Sequence, residues 1–334
     1  MQLDPKQNIT YANTTQQNIY VPQITLSLKF NTFLVLGVSS LIVYVFIIIY
    51  ALIHKNLRSA PNNYCLIILL ICEFIFKTID LPLQLYLYHQ GKVPFQNAVF
   101  CYSWRLINYT GYGVGAMLTA WASLERHILI FHDRLLHSKW KKICLHYAPP
   151  FIIIVYVICF YTYALCFYPC KTPFNFESIV CGNDCIQGYP VLSAWSKMVH
   201  NIAPAMCIGI FSVSLLCRVL YSKRRLQQSF TWRKHSKMAY QLLSISFVCL
   251  TALLPYGMVI FLNQVGIRDI PKAIAEYSYF FTTLIPLYLT FIYLTSLSEV
   301  WTRLKSKLRP ATTQTVVMTF SAAKTQLKSR TNAF

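Results

Sequence analysis

Apolar residues in this chain run in long blocks, and the polar ones fall in short interludes between them. Seven blocks approach the roughly 20 residues that a helix needs to cross a bilayer: Phe30 to Ile53, Tyr64 to Leu87, Ala98 to Ile130, Ile143 to Phe167, Met198 to Leu220, Met238 to Leu262 and Ile274 to Leu294. The pattern predicts an all-α fold, a seven-transmembrane helix bundle over residues 30–295, with little chain left for any separate soluble domain. Residues 1–29 are polar and predict a flexible tail; they show no evident cleavable signal peptide, so the first helix is expected to direct insertion. After the seventh block, SLSEVWTRLKSKLR (Ser296 to Arg309) places Val300, Trp301, Leu304 and Leu308 on one face and Arg303, Lys305, Lys307 and Arg309 on the other, with Ser298 as cap. This predicts a short amphipathic helix lying on the membrane surface at 296–309. Pro310 to Phe334 is rich in Thr and Ser and predicts a disordered tail open to phosphorylation.

Composition agrees: the chain is 56% hydrophobic and only 12% charged, where a soluble domain is about one quarter charged. The net charge of +20 would suggest nucleic acid if it were spread over a surface, but it is not. Lys55 and Arg58 lie in the first loop, Arg134, Lys139, Lys141 and Lys142 in the third, and Arg218, Lys223, Arg224, Arg225, Arg233, Lys234 and Lys237 in the fifth. The second, fourth and sixth loops hold only Lys92, then Lys171 and Lys197, then Arg268 and Lys272. Positive charge stays on the cytoplasmic side, so the expected topology is N-terminus outside and C-terminus inside. The partners expected of the charge are anionic membrane lipids, not nucleic acid.

The acceptor triplets at Asn8 and Asn13 fit that orientation as glycosylation candidates, whereas Asn108 lies within the third helix and is expected to be unmodified. Twelve cysteines are present, most of them inside helices. Four map outside: Cys101, Cys170, Cys181 and Cys185. A bridge from Cys101 to Cys181 or Cys185 would pin the fourth loop over the bundle, and the other pair would close a small ring; spacing leaves the connectivity open. Prolines interrupt most of the helices, Pro204, Pro255 and Pro286 among them, which is tolerated in packed or moving interior segments.

Charges inside the blocks are the informative exceptions. The stretch WASLERHILIFH, Trp121 to His132, sets Glu125 beside Arg126 at the end of the third block, where an unpaired ion costs several kcal/mol or more. Glu125-Arg126-His127 resembles the Glu/Asp-Arg-Tyr motif of rhodopsin-like (class A) G-protein-coupled receptors, and Cys101 lies 25 residues before Arg126, the family's spacing. HKNLRSAPNNY, His54 to Tyr64, resembles the family's first cytoplasmic loop, and Pro204, Pro255 and Pro286 resemble its prolines of helices 5, 6 and 7. The resemblance implies a receptor, not an enzyme, with a heterotrimeric G protein and arrestin as inner partners and no cofactor or metal. It makes Arg126 the switch residue, snorkelling towards water with Glu125 as its resting partner, and His127, Leu135, Leu136 and Lys237 part of the G-protein face.

The chain also departs from the family. Leu253 stands where helix 6 usually has Trp, and Ile285-Pro286-Leu287-Tyr288-Leu289 replaces Asn-Pro-x-x-Tyr. Gly115 and Ile285 occupy the places of the polar partners that a sodium site beside Glu73 would need, which argues against sodium. No acid lies between Trp232 and Lys237 to hold Arg126, so ligand-independent signalling is expected. Glu73, Lys77 and Asp80 share one face of helix 2 at i, i+4 and i+7, an intramembrane charge network in which Lys77 can pair with either acid.

For a ligand, the seventh helix has no Lys for a Schiff base, Asn108 replaces the Asp expected of an amine receptor, and the N-terminal tail is too short for a ligand domain. The expected pocket lies in the outer half of the bundle, with candidates Asp80, Trp104, Arg105, Asn108, Tyr109, Tyr112, His200, Asn263, Gln264, Glu276 and Tyr277. Aromatic bodies with polar tips suit a peptide or another small amphipathic molecule; in a purely structural role, Glu276 would pair with Arg105 or Lys272. The competing class is a seven-helix chemosensory ion channel or a transporter. The charge pattern and the absence of an internal repeat weigh against those, and no helix-borne His/Asp/Glu cluster has metal-ligand spacing.

Overall fold

The computed structural model describes residues 25–55, 63–131, 138–169, 172–182, 185–226, 243–251, 255–259, 262 and 272–296. Expectations for Asn8, Asn13, Leu135, Leu136, Cys170, Lys237, Asn263 and Gln264, and for the amphipathic helix beyond Ser296, lie outside these residues.

The described chain is helical almost throughout. Helix α1, Leu26–Ile53, begins a turn before its apolar block because the Thr25 hydroxyl accepts from the Leu28 N–H at 3.3 Å, and the start is thus set by the cap. Lys29 therefore belongs to a helix and not to the tail. Helix α2, Tyr64–Gln90, contains Pro82 and stops at Gly91, whose φ of 72° is the left-handed stop that glycine accepts without strain. Helix α3, Ala98–Phe131, has 34 residues, is capped by the Asn97 side chain and is long enough to run the whole depth of the bundle.

Helix α4, Lys139–Phe167, includes two π turns, Ile143–Tyr147 and Tyr163–Phe167. Helix α5 runs over 190–226, with Pro190 in its first turn and a π turn at Met198–Ile202. It starts eight residues before the expected Met198, which moves Lys197 from loop to helix. Helix α6 is described over 243–251 and 255–259, and α7 is Lys272–Ser296 around Pro286.

Among the described residues four helices are long and apolar enough to cross a membrane: Leu26–Ile53, Lys139–Phe167, Pro190–Leu215 and Glu276–Leu294. Helices α2 and α3 have the length but carry buried charge, Glu73, Lys77 and Asp80 on one and Arg105, Glu125 and Arg126 on the other. Helix α1 packs on α2 and α7, α2 on α3, and α3 on both α4 and α5. Val114 and Leu118 of α3 are fully buried in the core cluster, with Leu69 of α2, Val157 of α4 and Ile208 of α5 around them. Tyr44 of α1 donates its hydroxyl to the Pro286 carbonyl at 3.1 Å, tying α1 to α7.

Val35, Ile42 and Ile49 of α1, seven residues apart, are exposed, while Phe33, Gly37, Tyr44 and Ile47 are buried. In lipid that division brings no hydrophobic gain between helices, so close van der Waals packing has to hold them together. Gly37 shows this: a Cβ placed there would lie 2.6 Å from both Leu81 methyl carbons. A Gly37→Leu variant is expected to lose about 1–3 kcal/mol by over-packing, measured as a lower melting temperature of the detergent-solubilised protein; an unchanged melting temperature would contradict the tight α1–α2 contact.

Candidate functional site

The charges of α2 are resolved into a network centred on Asp80. Its Oδ1 accepts from Trp104 Nε1 at 2.9 Å and Asn108 Nδ2 at 3.0 Å, both on α3. Its Oδ2 accepts from Gln84 Nε2 at 2.7 Å and Lys77 Nζ at 3.4 Å. Lys77 also donates to the Tyr112 hydroxyl at 3.2 Å and lies over that ring. Asp80 is 2% exposed and Trp104 1%, so both are enclosed by the network, and Asp80 borders a small void of about 10 Å³ with Lys77, Asn108 and Tyr112. Of the two acids open to Lys77, Asp80 takes the hydrogen bond. The Glu73 carboxylate presses on α3 where Gly115 has no side chain, since a Cβ there would overlap Glu73 Oε1. Gly115 and Ile285 supply no side-chain oxygen beside it, so the residues do not fit a sodium site built on side chains at those two positions.

The end of the bundle that holds Cys101 is closed by the α4–α5 loop. Cys101 of α3 is disulfide-bonded to Cys181, with Cα atoms 5.7 Å apart, and Cys185 is disulfide-bonded as well; a ring through Cys170 lies outside the described residues. Val180 and Cys181 adopt left-handed conformations, φ 48° and 57°, which cost roughly 1–2 kcal/mol each in non-glycine residues. Arg105, fully buried, offsets that cost. Its Nε donates to the Val180 carbonyl at 3.1 Å and its Nη2 to those of Cys181 at 3.1 Å and Gly182 at 3.0 Å. It is a staple for the loop and not the ion-pair partner of Glu276. That partner is Lys29 of α1, in a direct ion pair.

Three cavities follow one another beneath this loop. The widest, about 720 Å³, is lined by Lys29, Glu177, Val180, Lys197 and Glu276 among others. It shares Tyr109, Lys197, Tyr256 and Tyr279 with a deeper cavity of about 130 Å³. Asn108, Tyr109, Tyr112 and His200 line the deeper one, joined by Ser193, Ser196 and Asn201 of α5. A third cavity of about 50 Å³ shares Tyr112, Asn201 and Thr282 with the second and reaches Glu73 and Tyr293. Tyr277 lines none of the three and packs beside the Phe33 cluster.

At the opposite end of α3, Glu125 is 3% exposed and Arg126 5%. Glu125 is bonded to the ring of His146, itself 2% exposed and carried by the first π turn of α4. The carboxylate expected to be the resting partner of Arg126 is thus drawn to α4, and Arg126 is buried where snorkelling would have put it in water. His127 faces α5, with Nε2 3.4 Å from the Ser214 hydroxyl.

A model of the seven-transmembrane receptors of the rhodopsin family matches residues 43–299. The chain belongs to that family. This receptor is a multi-pass membrane protein of a class that signals and does not catalyse. No curated protein matches it.

The receptor's cavities include residues that sequence reasoning missed: Ser193, Ser196, Lys197, Asn201, Tyr256 and Tyr279. The α5 group had a signal, because Ser193, Ser196, Lys197, His200 and Asn201 fall at i, i+3, i+4, i+7 and i+8. For the two tyrosines nothing in the sequence separates a cavity wall from a membrane-interface anchor.

Removing the centre of the α2–α3 network takes from the buried Lys77 ammonium the carboxylate it is hydrogen-bonded to, and leaves the Trp104, Asn108 and Gln84 donors without their shared acceptor. Asp80→Ala is expected to cost about 3–5 kcal/mol and to abolish accumulation of folded receptor at the surface, with Asp80→Asn intermediate. Normal surface levels of Asp80→Ala would show that the network is dispensable.

Proposed function

We propose that this receptor binds an extracellular ligand, a peptide or other small amphipathic molecule, in the cavities at its Cys101 end and activates a heterotrimeric G protein at its Arg126 end. The observation that carries this reading is the shared helix. Asn108, Tyr109 and Tyr112 of α3 line the deep cavity, and Arg126 lies on the same helix, about 21 Å further along by helical rise. Ligand binding then shifts a two-state bundle in which α6 moves and Arg126 meets the G protein. The N-terminus, with Asn8 and Asn13 glycosylated, is outside. The seven crossings are followed by the amphipathic helix at 296–309 and a cytoplasmic tail that serves arrestin.

With no acid between Trp232 and Lys237, the restraint that helix 6 can place on Arg126 at rest is weak. Wild-type receptor is expected to activate G protein above mock-transfected cells without ligand, and Arg126→Ala to fall to the mock level at equal surface expression. An N-terminal tag should be accessible on unpermeabilised cells. A hidden tag would favour the channel topology, and activation indifferent to Arg126→Ala would reduce Glu125 and Arg126 to a membrane boundary.

A further inference from the structure

We propose that His146 of α4 is a positioning residue of the Arg126 switch: it holds the Glu125 carboxylate to α4, keeps it from closing an ion pair with Arg126, and so sets the level of ligand-independent signalling. The inference rests on the receptor reading above and names a residue that regulates it.

His146 stands on the buried face of α4, one turn before Pro150 and in line with Val157 and Tyr161. Its neighbours Cys144 and Tyr147 are exposed. The buried face packs on α3 and brings the imidazole against a carboxylate 21 residues earlier in the chain. An ionised carboxylate can only accept, so the bond runs from His146 Nδ1 to Glu125 Oε1. Both side chains are buried, and a carboxylate shielded from water keeps the donor it has. The imidazole is itself fixed. Tyr64, the first residue of α2, packs against it with ring centroids 5.1 Å apart, and Tyr147 meets it edge-on at 4.5 Å.

Arg126 is the next residue on α3, and consecutive side chains of a helix point about 100° apart. With Glu125 turned to α4, Arg126 lies near Tyr293 of α7 and Cys65 of α2. Arg126 has contacts of its own, and its charge acts on Glu125 through space, but the hydrogen bond of the carboxylate goes to His146. A carboxylate is a rigid planar group, so anchoring one oxygen on α4 restricts the other as well. Arg126 gains Glu125 as a direct partner only when His146 lets it go.

The test is basal G-protein activation in cells expressing full-length receptor, each variant normalised to its surface level, with Arg126→Ala as the floor. His146→Phe keeps an aromatic ring and loses the donor; it is expected to lower activation about tenfold, the size of one charge-assisted hydrogen bond passed to Arg126. His146→Asn, whose amide nitrogen stands near the place of Nδ1, should recover most of that loss, which a packing role would not allow. Adding Glu125→Gln to His146→Phe should also restore activation, since an amide offers Arg126 no ion pair. Activation by His146→Phe equal to wild type, a loss that persists in the double variant, or His146→Asn as low as His146→Phe would overturn the inference. Should His146→Phe fail to reach the surface, the double variant decides, because without the carboxylate His146 has nothing to hold. Its arrival at the surface with restored activation supports the positioning role, and its absence there reduces His146 to packing. Wild type indistinguishable from Arg126→Ala is failure of the receptor reading and takes this inference with it. A clear difference between those two, with His146→Phe at the wild-type level, is failure of this inference alone.

Discussion

A carboxylate surrounded by hydrocarbon persists only if donors occupy its oxygens, and Asp80 has four of them from two helices. Much else in the upper half of the bundle depends on that arrangement. It fixes the rotation of α2 against α3 and holds Lys77 on the Tyr112 hydroxyl. It also turns Asn108 so that its amide serves the network while its side chain still borders the deep cavity. One turn before, Arg105 reaches the other way and fastens three loop carbonyls in succession. Neighbouring residues on α3 thus anchor first α2 and then the loop, and the cavity lies between those anchors.

The helices were legible wherever hydropathy alone decides. The blocks predicted from the sequence reappear as α1 to α5 and α7, and the described pieces of α6 fall inside their block. The errors fell where polar residues belong to a helix for reasons other than solvent. Charge lowers hydropathy, so the pattern assigns Lys29 to the tail, yet it is buried against Glu276. The same effect assigns Lys197 to a loop, although the polar stripe that lowers the average is itself a helical pattern.

The site was legible in type more than in detail. Asn108, Tyr109, Tyr112, His200 and Glu276 do line cavities, whereas Asp80, Trp104, Arg105 and Tyr277 are occupied elsewhere. Helical spacing gives the face on which a side chain stands. Whether that face meets a neighbouring helix, a loop carbonyl or open space depends on contacts far along the chain. The partnership of His146 with Glu125, 21 residues apart on different helices, is of that kind.

The π turn at Met198–Ile202 makes chain length itself a determinant of the cavity. Such a turn holds one residue more than an α turn, and each residue turns an α-helix by about 100°. Loss of a single residue from this turn would leave the inner part of α5 seated on α3 and rotate everything before it by that angle. Ser193, Ser196 and Lys197 would swing from the cavity towards lipid with every one of them intact. Across this short segment a one-residue gap changes which side chains face the cavity without altering any of them.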